Sequence, residues 1–222
     1  MPGPNPGLSH LGAPHNILTS SPGYNQTGGL EELTPEETQA QFDTNVFGLL
    51  NVTRAILPYM RSARSGVIAN LSSIGAWGRL AGVGLYCASK YTVTGLTESL
   101  SLELAEFNIK VCVIEPGYFR SNFLNPSNNL IAKNTIADYE GDSAVRKGTK
   151  LMEAVNNKQL GDIKKGAKVM VDVLTEATGK PVPLRLYLGQ DAYEHIGDKC
   201  RETLAVLDEW KYICTKTDLD EK

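Results

Sequence analysis

The stretch from Gly66 to Lys90 reads GVIANLSSIGAWGRLAGVGLYCASK and predicts the fold of the chain. It opens with the short apolar run Val67 to Leu71, of the length typical of a strand buried on both faces. It ends where a long helical pattern begins, and a loop rich in Gly and Ser connects strand and helix. This order predicts one unit of an α/β fold.

Three side chains with related chemistry flank that loop: Ser73 on the strand side, and Tyr86 and Lys90 on the helix side. Residues four apart share one face of a helix, so the phenol of Tyr86 and the ammonium of Lys90 are expected to point into one pocket. A neighbouring cation lowers the pKa of a tyrosine from about 10 towards neutrality, which suits a proton donor to a carbonyl oxygen. The stretch therefore predicts proton transfer to or from an oxygen.

Composition and charge exclude several classes of function. The chain has 222 residues, of which 41% are hydrophobic and 21% charged, enough for one sizeable core in one globular domain. A net charge of -3 and a pI near 5.7 argue against nucleic acid and a membrane surface as partners. No apolar run approaches the ~20 residues needed to cross a bilayer. The four scattered cysteines are expected to be free thiols in a reducing cytoplasm.

The cysteines and the Asn-x-Ser/Thr triplets carry no predicted site. The chain has four widely separated cysteines and no Cys-x-x-Cys pair, which argues against a metal site or a redox pair and favours free thiols. The triplets begin at Asn25, Asn51 and Asn70. Because no secretory signal precedes them, we do not expect glycosylation.

The first half of the chain contains one irregular segment and one long helix. Residues 1–29 hold five prolines, six glycines and no charged residue, which predicts an irregular segment with a strand fragment at Ile17 to Thr19. Thr34-Pro35-Glu36-Glu37 is a capping box that predicts the start of a helix reaching Met60. Pro58 predicts a kink near its end. Periodicity alone makes Asn45 a surface amide of this helix.

The second half predicts further strands and helices of a parallel sheet. The helix of the central stretch continues to about Glu106, and the apolar run Val111 to Ile114 predicts the next buried strand. Strand, helix and strand in this order give a right-handed crossover, with ligands bound at the carboxyl ends of the strands. Residues 122–161 are expected to form a lid with short helices. A helix over 163–177, a strand over 183–189 and a helix over 191–214 complete the prediction.

At Ser73, Tyr86-Cys-Ala-Ser-Lys90 and Pro116-Gly117 the chain resembles the short-chain dehydrogenase/reductase family. Members of this family move a hydride between a nicotinamide cofactor, NADP or NAD, and a carbonyl or alcohol. The resemblance extends from about Gly29 to the C-terminus. It implies a Rossmann-like, doubly wound parallel sheet in which residues 30–222 form the catalytic part.

Carried over by position, the resemblance implies a set of catalytic residues. Tyr86 is the general acid/base, and Lys90 lowers its pKa. Ser73 hydrogen-bonds the substrate oxygen, and Asn45 organises a water-linked proton relay to Lys90. This role for Asn45 replaces the surface position that periodicity alone indicates.

The resemblance also implies how the nicotinamide cofactor is held. Lys90, with Tyr86 beside it, contacts the ribose hydroxyls. Pro116 and Gly117 approach the nicotinamide face, and Ser121 stands where the family commonly has a threonine that contacts the carboxamide. A small-molecule carbonyl or alcohol is the implied substrate. Tyr118, Phe119 and Phe123 are compatible with a moderately apolar, medium-sized one, although packing in the core is the more common role of aromatic residues.

The chain departs from the family pattern at its N-terminal end. Family members begin with a strand, a turn Thr-Gly-x-x-x-Gly-x-Gly and a helix that receives the pyrophosphate, and none of this is recognisable before Glu31. The string Gly78 to Gly84 matches the glycine spacing but lies in the loop before Tyr86, so we treat it as a chance match. We therefore expect an incomplete sheet with an uncovered edge.

Three hypotheses remain open from the sequence. The first is an active oxidoreductase that reduces a ketone or oxidises a secondary alcohol. The second is a non-catalytic remnant or scaffold that lacks the phosphate-binding unit. The third is a working protein that carries an additional N-terminal exon. Fold analogy adds a homodimer or homotetramer, formed through the helices around Asn45 and Val93.

Overall fold

The structure is a computed structural model and describes residues 16–21 and 23–219. A four-stranded parallel sheet forms its centre, with strands in the spatial order β1, β3, β4, β6. A two-stranded parallel sheet pairs β2 with β5. The strands are β1 (Ile17–Ser20), β2 (Asn25–Thr27), β3 (Gly66–Leu71), β4 (Ile109–Pro116), β5 (Asn129–Ile131) and β6 (Arg185–Leu188). The predicted α/β fold with a parallel sheet is confirmed.

Six α-helices surround the sheet: α1 (Pro35–Phe42), α2 (Gly48–Ala63), α3 (Gly84–Leu104), α4 (Ala144–Val155), α5 (Ile163–Leu174) and α6 (Gln190–Cys214). A π-helical turn, Asp43–Phe47, joins α1 to α2. No helix within the described part of the chain is both long and apolar enough to span a bilayer.

Helices cover both faces of the sheet, as expected of a doubly wound fold. On one face, Met60 of α2 and Leu104 of α3 pack against Ile68 of the central strand β3. On the other face, Leu174 of α5 packs against Val67. Because β3 lies between these layers, four of its six residues are buried, which explains its nearly continuous apolar sequence.

The prediction that residues 1–29 are irregular is wrong for its second half. Ile17–Ser20 pairs in register with β3, and Asn25–Thr27 pairs with β5, so both segments are strands. The strand fragment predicted at Ile17 to Thr19 is confirmed. Ile17 and Leu18 pack against the core clusters on the two sides of the sheet, which compensates for the weak strand pattern. Residues 1–15, with His10 and His15, lie outside the described residues.

The helix predicted from Thr34 to Met60 begins as expected and is interrupted elsewhere. The hydroxyl of Thr34 accepts a hydrogen bond from the Glu37 backbone at 3.1 Å, and the Glu37 carboxylate accepts one from the Thr34 backbone at 2.9 Å. This is the predicted capping box. The helical pattern is broken at the π-turn, whereas α2 continues through Pro58 to Ala63.

The segment predicted as a lid contains helix α4, as expected, and also β5, which the sequence does not predict. Asn25 and Asn129 are register partners, and Asn25 Nδ2 donates to Asn129 Oδ1 at 2.8 Å. A side-chain hydrogen bond between strands thus supports a short polar pairing without an apolar pattern. The buried carboxylate of Glu32 forms an ion pair with Arg146 of α4 and so ties this segment to the rest of the domain.

Candidate active site

Ser73 lies just beyond the carboxyl end of β3. Its extended backbone caps a short 3₁₀ turn, and its hydroxyl accepts a hydrogen bond from Gly75 N at 3.0 Å. A Cβ built on Gly75 would lie 3.2 Å from a ring carbon of Tyr86 and 3.4 Å from the Ser73 hydroxyl. The residue at position 75 must therefore be small for these two side chains to meet.

Tyr86 and Lys90 lie one turn apart on α3 and face the same site, as the spacing predicts. The Lys90 ammonium lies 5.8 Å from the centroid of the Tyr86 ring and donates to the backbone oxygen of Leu71 at 2.9 Å. Ser73 hydrogen-bonds the Tyr86 side chain. The ring of Tyr86 also packs at 5.5 Å against Phe123, so an aromatic wall stands beside the hydroxyl.

Asn45 is fully buried in the π-turn, so the surface position that periodicity indicates is wrong. Its Oδ1 accepts a hydrogen bond from Tyr24 N at 3.3 Å, and its Nδ2 donates to the Ser89 hydroxyl at 3.0 Å. A Cβ built on Gly23 would lie 3.4 Å from Lys90 Nζ and 3.6 Å from Asn45 Oδ1. The π-turn places the Asn45 side chain in the protein interior, where it bonds to Tyr24 and Ser89 and lies close to Gly23, as the Lys90 ammonium also does.

Burial governs the protonation of the site. The pKa of Tyr86 is raised above its ordinary value, mainly by desolvation, which outweighs the lowering effect of the hydrogen bond with Ser73. Desolvation also lowers the pKa of Lys90 to about 8. The lowered tyrosine pKa expected from the sequence is therefore wrong for this structure. Tyr86 holds its proton at neutral pH, and Lys90 is mostly charged.

The predicted cofactor residues line the same cavity as the catalytic residues. The cavity measures about 650 Å³, and its wall includes Ser73, Tyr86 and Lys90. Pro116, Gly117 and Ser121 also line it. Asn45 lies behind this wall, beside Lys90.

The segment after β4 is held in place by the start of α6. Asp191 Oδ2 accepts a hydrogen bond from Tyr118 N at 2.7 Å. A Cβ built on Gly117 would lie 2.2 Å from Asp191 Oδ1, so any larger residue at this position collides with that carboxylate. The hydroxyl of Ser121 accepts from Phe123 N at 3.2 Å and caps a 3₁₀ turn that carries the aromatic wall.

Two buried amides in the cavity wall escaped the sequence analysis. Asn25 and Gln159 are 2% and 5% exposed, and Asn25 Oδ1 and Gln159 Oε1 have no hydrogen-bond partner among the described residues. The sequence feature at Asn25 is an Asn-x-Thr triplet, which is the pattern of a glycosylation site and does not indicate a buried amide. Polar residues in loop-rich sequence give no indication of burial, because burial depends on the segment that packs over them.

The glycine string Gly78 to Gly84 has a structural explanation at Gly82. Gly82 has φ +80°, and a Cβ there would lie 2.8 Å from Val145 O. It therefore serves a close contact with α4, in a loop that follows no strand-turn-helix unit. Across residues 16–21 and 23–219, no group of three His, Cys, Asp or Glu side chains is arranged to hold a metal ion.

Comparisons with known proteins agree on one family. The family model for short chain dehydrogenases matches residues 11–130. The 3-ketodihydrosphingosine reductase of Bacteroides thetaiotaomicron is 44% identical over 113 residues, which cover 51% of this chain and 42% of that protein. Oxidoreductase BOA17 of Botryotinia fuckeliana is 32% identical over 202 residues, which cover 89% of this chain and 70% of that protein. The matched part of the chain thus covers 42% of the length of the first relative and 70% of the length of the second.

Solved structures show the same likeness. A short-chain dehydrogenase from Streptomyces avermitilis superimposes with a TM-score of 0.79 at 33% identity, covering 91% of this chain and 72% of that one. Two structures below 25% identity show the fold alone. One, from Burkholderia cenocepacia, is in complex with NADP (TM-score 0.61, 22% identity, 87% of this chain and 70% of that one). The other, from Burkholderia phymatum, is in complex with NAD (TM-score 0.62, 17% identity, 78% and 60%).

Proposed function

This chain belongs to the short-chain dehydrogenase/reductase family, and we propose from that premise that it reduces a ketone or oxidises a secondary alcohol with a nicotinamide cofactor. One observation carries the proposal. Ser73, Tyr86 and Lys90 face one cavity, and Asn45 lies beside Lys90 although it is distant in sequence. Proton transfer to a substrate oxygen needs a donor, a group that positions the oxygen and a nearby charge, and these residues supply them.

The roles follow from the contacts. Tyr86 donates its hydroxyl proton to the carbonyl oxygen, and Ser73, which already hydrogen-bonds the tyrosine, holds that oxygen in place. The Lys90 ammonium stabilises the phenolate that remains, because its charge lies close to the ring. Asn45 connects this ammonium to the protein interior. When bound, the cofactor supplies the hydride.

The protonation of the site favours reduction at neutral pH. Burial raises the pKa of Tyr86, so the tyrosine begins the reaction as a proton donor. Lys90, with its pKa lowered to about 8, is mostly charged near pH 7 and loses that charge above about pH 8. The name of the Bacteroides relative, a ketone reductase, agrees with this direction.

The cavity fits the nicotinamide end of the cofactor. Lys90 would hold the ribose hydroxyls, and Ser121 would contact the carboxamide. Pro116 and Gly117, which line the cavity, would approach the face of the nicotinamide ring. NADP and NAD share this end of the molecule, and solved relatives of the fold hold either one. Residues 30–222, together with β1 and β2, form the proposed catalytic part.

The decisive experiment combines cofactor binding with turnover. We expect calorimetry on the full chain to detect binding of NADPH or NADH, and a panel of medium-sized apolar ketones to be reduced. Tyr86→Phe removes only the hydroxyl and should lower kcat by roughly 10²- to 10⁴-fold while the circular dichroism spectrum stays unchanged. Unchanged turnover in Tyr86→Phe would refute the assignment of the general acid. Absence of binding for both nucleotides would favour the non-catalytic scaffold.

We also propose a homodimer or homotetramer through the outer faces of α2 and α3. These faces expose Val52, Tyr91 and Leu102, of which Leu102 is 82% exposed. Burying such residues against a second copy would remove apolar surface from water. Light scattering after size exclusion would measure the assembly, and a monomer at micromolar concentration would refute it.

We place the protein in the cytoplasm. All four cysteines lie in the described part of the chain and are free thiols, and Cys112 is buried in the core. Free thiols are compatible with a reducing compartment. Fractionation of cells that express a tagged chain would test this, and recovery in the membrane fraction would overturn it.

A further inference from the structure

The C-terminal half of α6 exposes its apolar side chains. The buried residues of this 25-residue helix are Ala192 and Ile196, and both lie in its first two turns. Five large apolar side chains between Cys200 and Cys214 are about half-exposed or more: Leu204 61%, Val206 50%, Leu207 62%, Trp210 49% and Ile213 61%. A helical segment of this length is only marginally stable by itself in water, so packing against a partner would stabilise it.

One side of this segment carries a stripe of five residues: Cys200, Leu204, Leu207, Trp210 and Cys214. At 3.6 residues per turn they fall within an arc of about 120°. Their spacings of 4, 3, 3 and 4 residues read the same in both directions from Leu207. Thr203 and Lys211, the polar residues within the same arc, are also placed symmetrically about Leu207. The stripe therefore matches a second copy of itself that runs in the opposite direction.

A two-fold axis through Leu207 makes this face of α6 complementary to itself. Because a two-fold interface pairs residues reciprocally, Leu207 of both copies would meet at the axis, and Leu204 of each copy would lie against Trp210 of the other. At roughly 100 Å² for each large side chain, the five exposed apolar residues present about 500 Å² per copy and about 1,000 Å² in the pair. This is the smallest area expected of a specific protein–protein interface.

The charged residues of the segment argue against a lipid surface as the partner. On the sides that face away from the stripe lie Arg201, Glu202, Asp208 and Glu209, which are one basic and three acidic residues. A helix that lies on a membrane carries mainly Lys and Arg on its polar face, because the lipid surface it binds is anionic. A protein surface therefore fits the apolar stripe better, and the symmetry of the stripe selects a second copy of this chain.

We propose that α6 pairs antiparallel with α6 of a second copy of this chain, centred on Leu207. In this arrangement Cys200 of each copy lies beside Cys214 of the other, and both thiols are exposed in the single chain. The pairing is independent of the proposed oxidoreductase activity and uses a different surface from the outer faces of α2 and α3. Together with the interface proposed there, it would join two dimers into a tetramer.

Cross-linking of the full chain with bismaleimidoethane, a short linker that adds one thiol to each of its two maleimides, tests the register. Within one helix Cys200 and Cys214 are about 21 Å apart, farther than this linker reaches, so a link between the two positions joins two copies. We expect a Cys200–Cys214 link, identified by mass spectrometry in a product of twice the chain mass, and its loss in Cys200→Ser. Links between identical cysteines, or no linked dimer at micromolar concentration, would overturn the antiparallel pairing.

A charge at the centre of the stripe tests the interface itself. Leu207→Glu places two carboxylates against each other at the axis and should raise the dissociation constant in sedimentation at least about 100-fold. The fold should persist by circular dichroism, since Leu207 is exposed in the single chain. Ala205→Glu adds the same charge on the opposite side and should keep the cross-link. Undiminished cross-linking in Leu207→Glu would overturn the proposal, and so would wild-type binding to phosphatidylserine vesicles without a linked dimer. None of these measurements uses turnover, so this inference and the proposed function fail separately.

Discussion

The cavity has two walls built by different means. The catalytic wall consists of the end of β3, the π-turn and the first turns of α3. Here polar side chains bond to one another: Thr94 Oγ1 donates to the Ser72 hydroxyl at 2.8 Å, and Ser72 Oγ donates to Lys90 O at 2.9 Å. The outer wall consists of residues 117–170. It is held by glycines that permit close backbone approach and by three carboxylates, since Asp191 accepts from Tyr118 N, Glu37 from Lys133 N and Glu32 from Ile136 N.

Two glycines on helices of the outer wall have no room for a side chain. A Cβ on Gly148 of α4 would lie 1.8 Å from Ala81 O, in the loop before α3. A Cβ on Gly166 of α5 would lie 2.6 Å from the ring of Phe119. The outer wall thus reaches its position in part through small residues at crossing points, whereas the catalytic wall reaches its position through hydrogen bonds.

This difference separates two kinds of mutational effect. Substitutions in the catalytic wall are expected to change protonation and, under the proposed function, turnover, because Tyr86 and Lys90 lie there. Substitutions in the outer wall change packing and hence the shape of the cavity. Four substitutions can break or sharpen this division, and they are given in order of decreasing expected effect.

Lys90→Met should change the pH dependence of stability most. The pKa of Lys90 is lowered to about 8 from its usual 10.5, so between these values the unfolded chain binds more protons than the folded one. As the pH rises from about 8 to 10.5, the free energy of unfolding of the wild type should therefore increase relative to that of Lys90→Met, by roughly 3 kcal/mol. Urea unfolding at about pH 7 and about pH 10.5 measures it. A difference independent of pH, or the same trend in the exposed control Lys164→Met, would contradict the prediction.

Arg146→Met should destabilise the outer wall by roughly 1–3 kcal/mol, because it removes the charged partner of a buried carboxylate. The hydrogen bond from Arg146 lowers the pKa of Glu32 from 4.5 to about 2. The pair therefore adds stability above about pH 4.5, and that stability is lost as the pH falls towards 2. The variant should show a weaker acid dependence in urea unfolding. Arg201→Met, which breaks an exposed pair with Asp198, is the control and should cost far less.

Gly148→Ala should also destabilise the chain, by roughly 1–3 kcal/mol, since the added methyl group forces α4 away from Ala81. Thermal and urea unfolding measure the loss. Binding of octan-2-one should weaken in parallel, because α4 carries Met152 of the cavity wall. If Gly148→Ala were as stable as the wild type, α4 could move away from Ala81 without loss of stability, and the prediction would be wrong.

Gly95→Ala is the matched substitution in the middle of α3 and should have the smallest effect. A Cβ at this position meets no atom within 4 Å, so only helix propensity changes. Stability should increase by roughly 0.5–1 kcal/mol, and turnover should stay the same. Unfolding curves beside those of Gly148→Ala make the comparison direct. Destabilisation by Gly95→Ala would mean that glycine replacement itself, and not close approach, causes the loss at position 148.

Local patterns in the sequence were sufficient to predict β3, the start of α1 and the helix α3. The four-residue spacing of Tyr86 and Lys90 places both on one face of α3, and the Thr34 to Glu37 capping box starts α1 as predicted. The apolar run at Val67 predicted β3. Each of these depends on backbone geometry over a few neighbouring residues, which is the same wherever the segment lies in a fold.

Predictions failed where the environment of a residue is formed by segments that are distant in sequence. The inward direction of Asn45 depends on a π-turn and on Tyr24, and the pairing of β5 depends on Asn25. The expected direction of the pKa shift of Tyr86 was wrong, because the sequence spacing reveals the nearby Lys90 cation but not how deeply the phenol is buried. Desolvation is the larger effect at this position.

The sequence by itself determined the alternation of β3, α3 and β4, the family resemblance, the place of Ser73 after β3 and the common face of Tyr86 and Lys90 on α3. Tertiary structure alone decided the burial of the Asn25 oxygen, the position of Arg146 beside Glu32 and the raised pKa of Tyr86. Periodicity follows from bonded geometry along the chain, whereas burial, charge pairing and desolvation depend on which remote segments pack together.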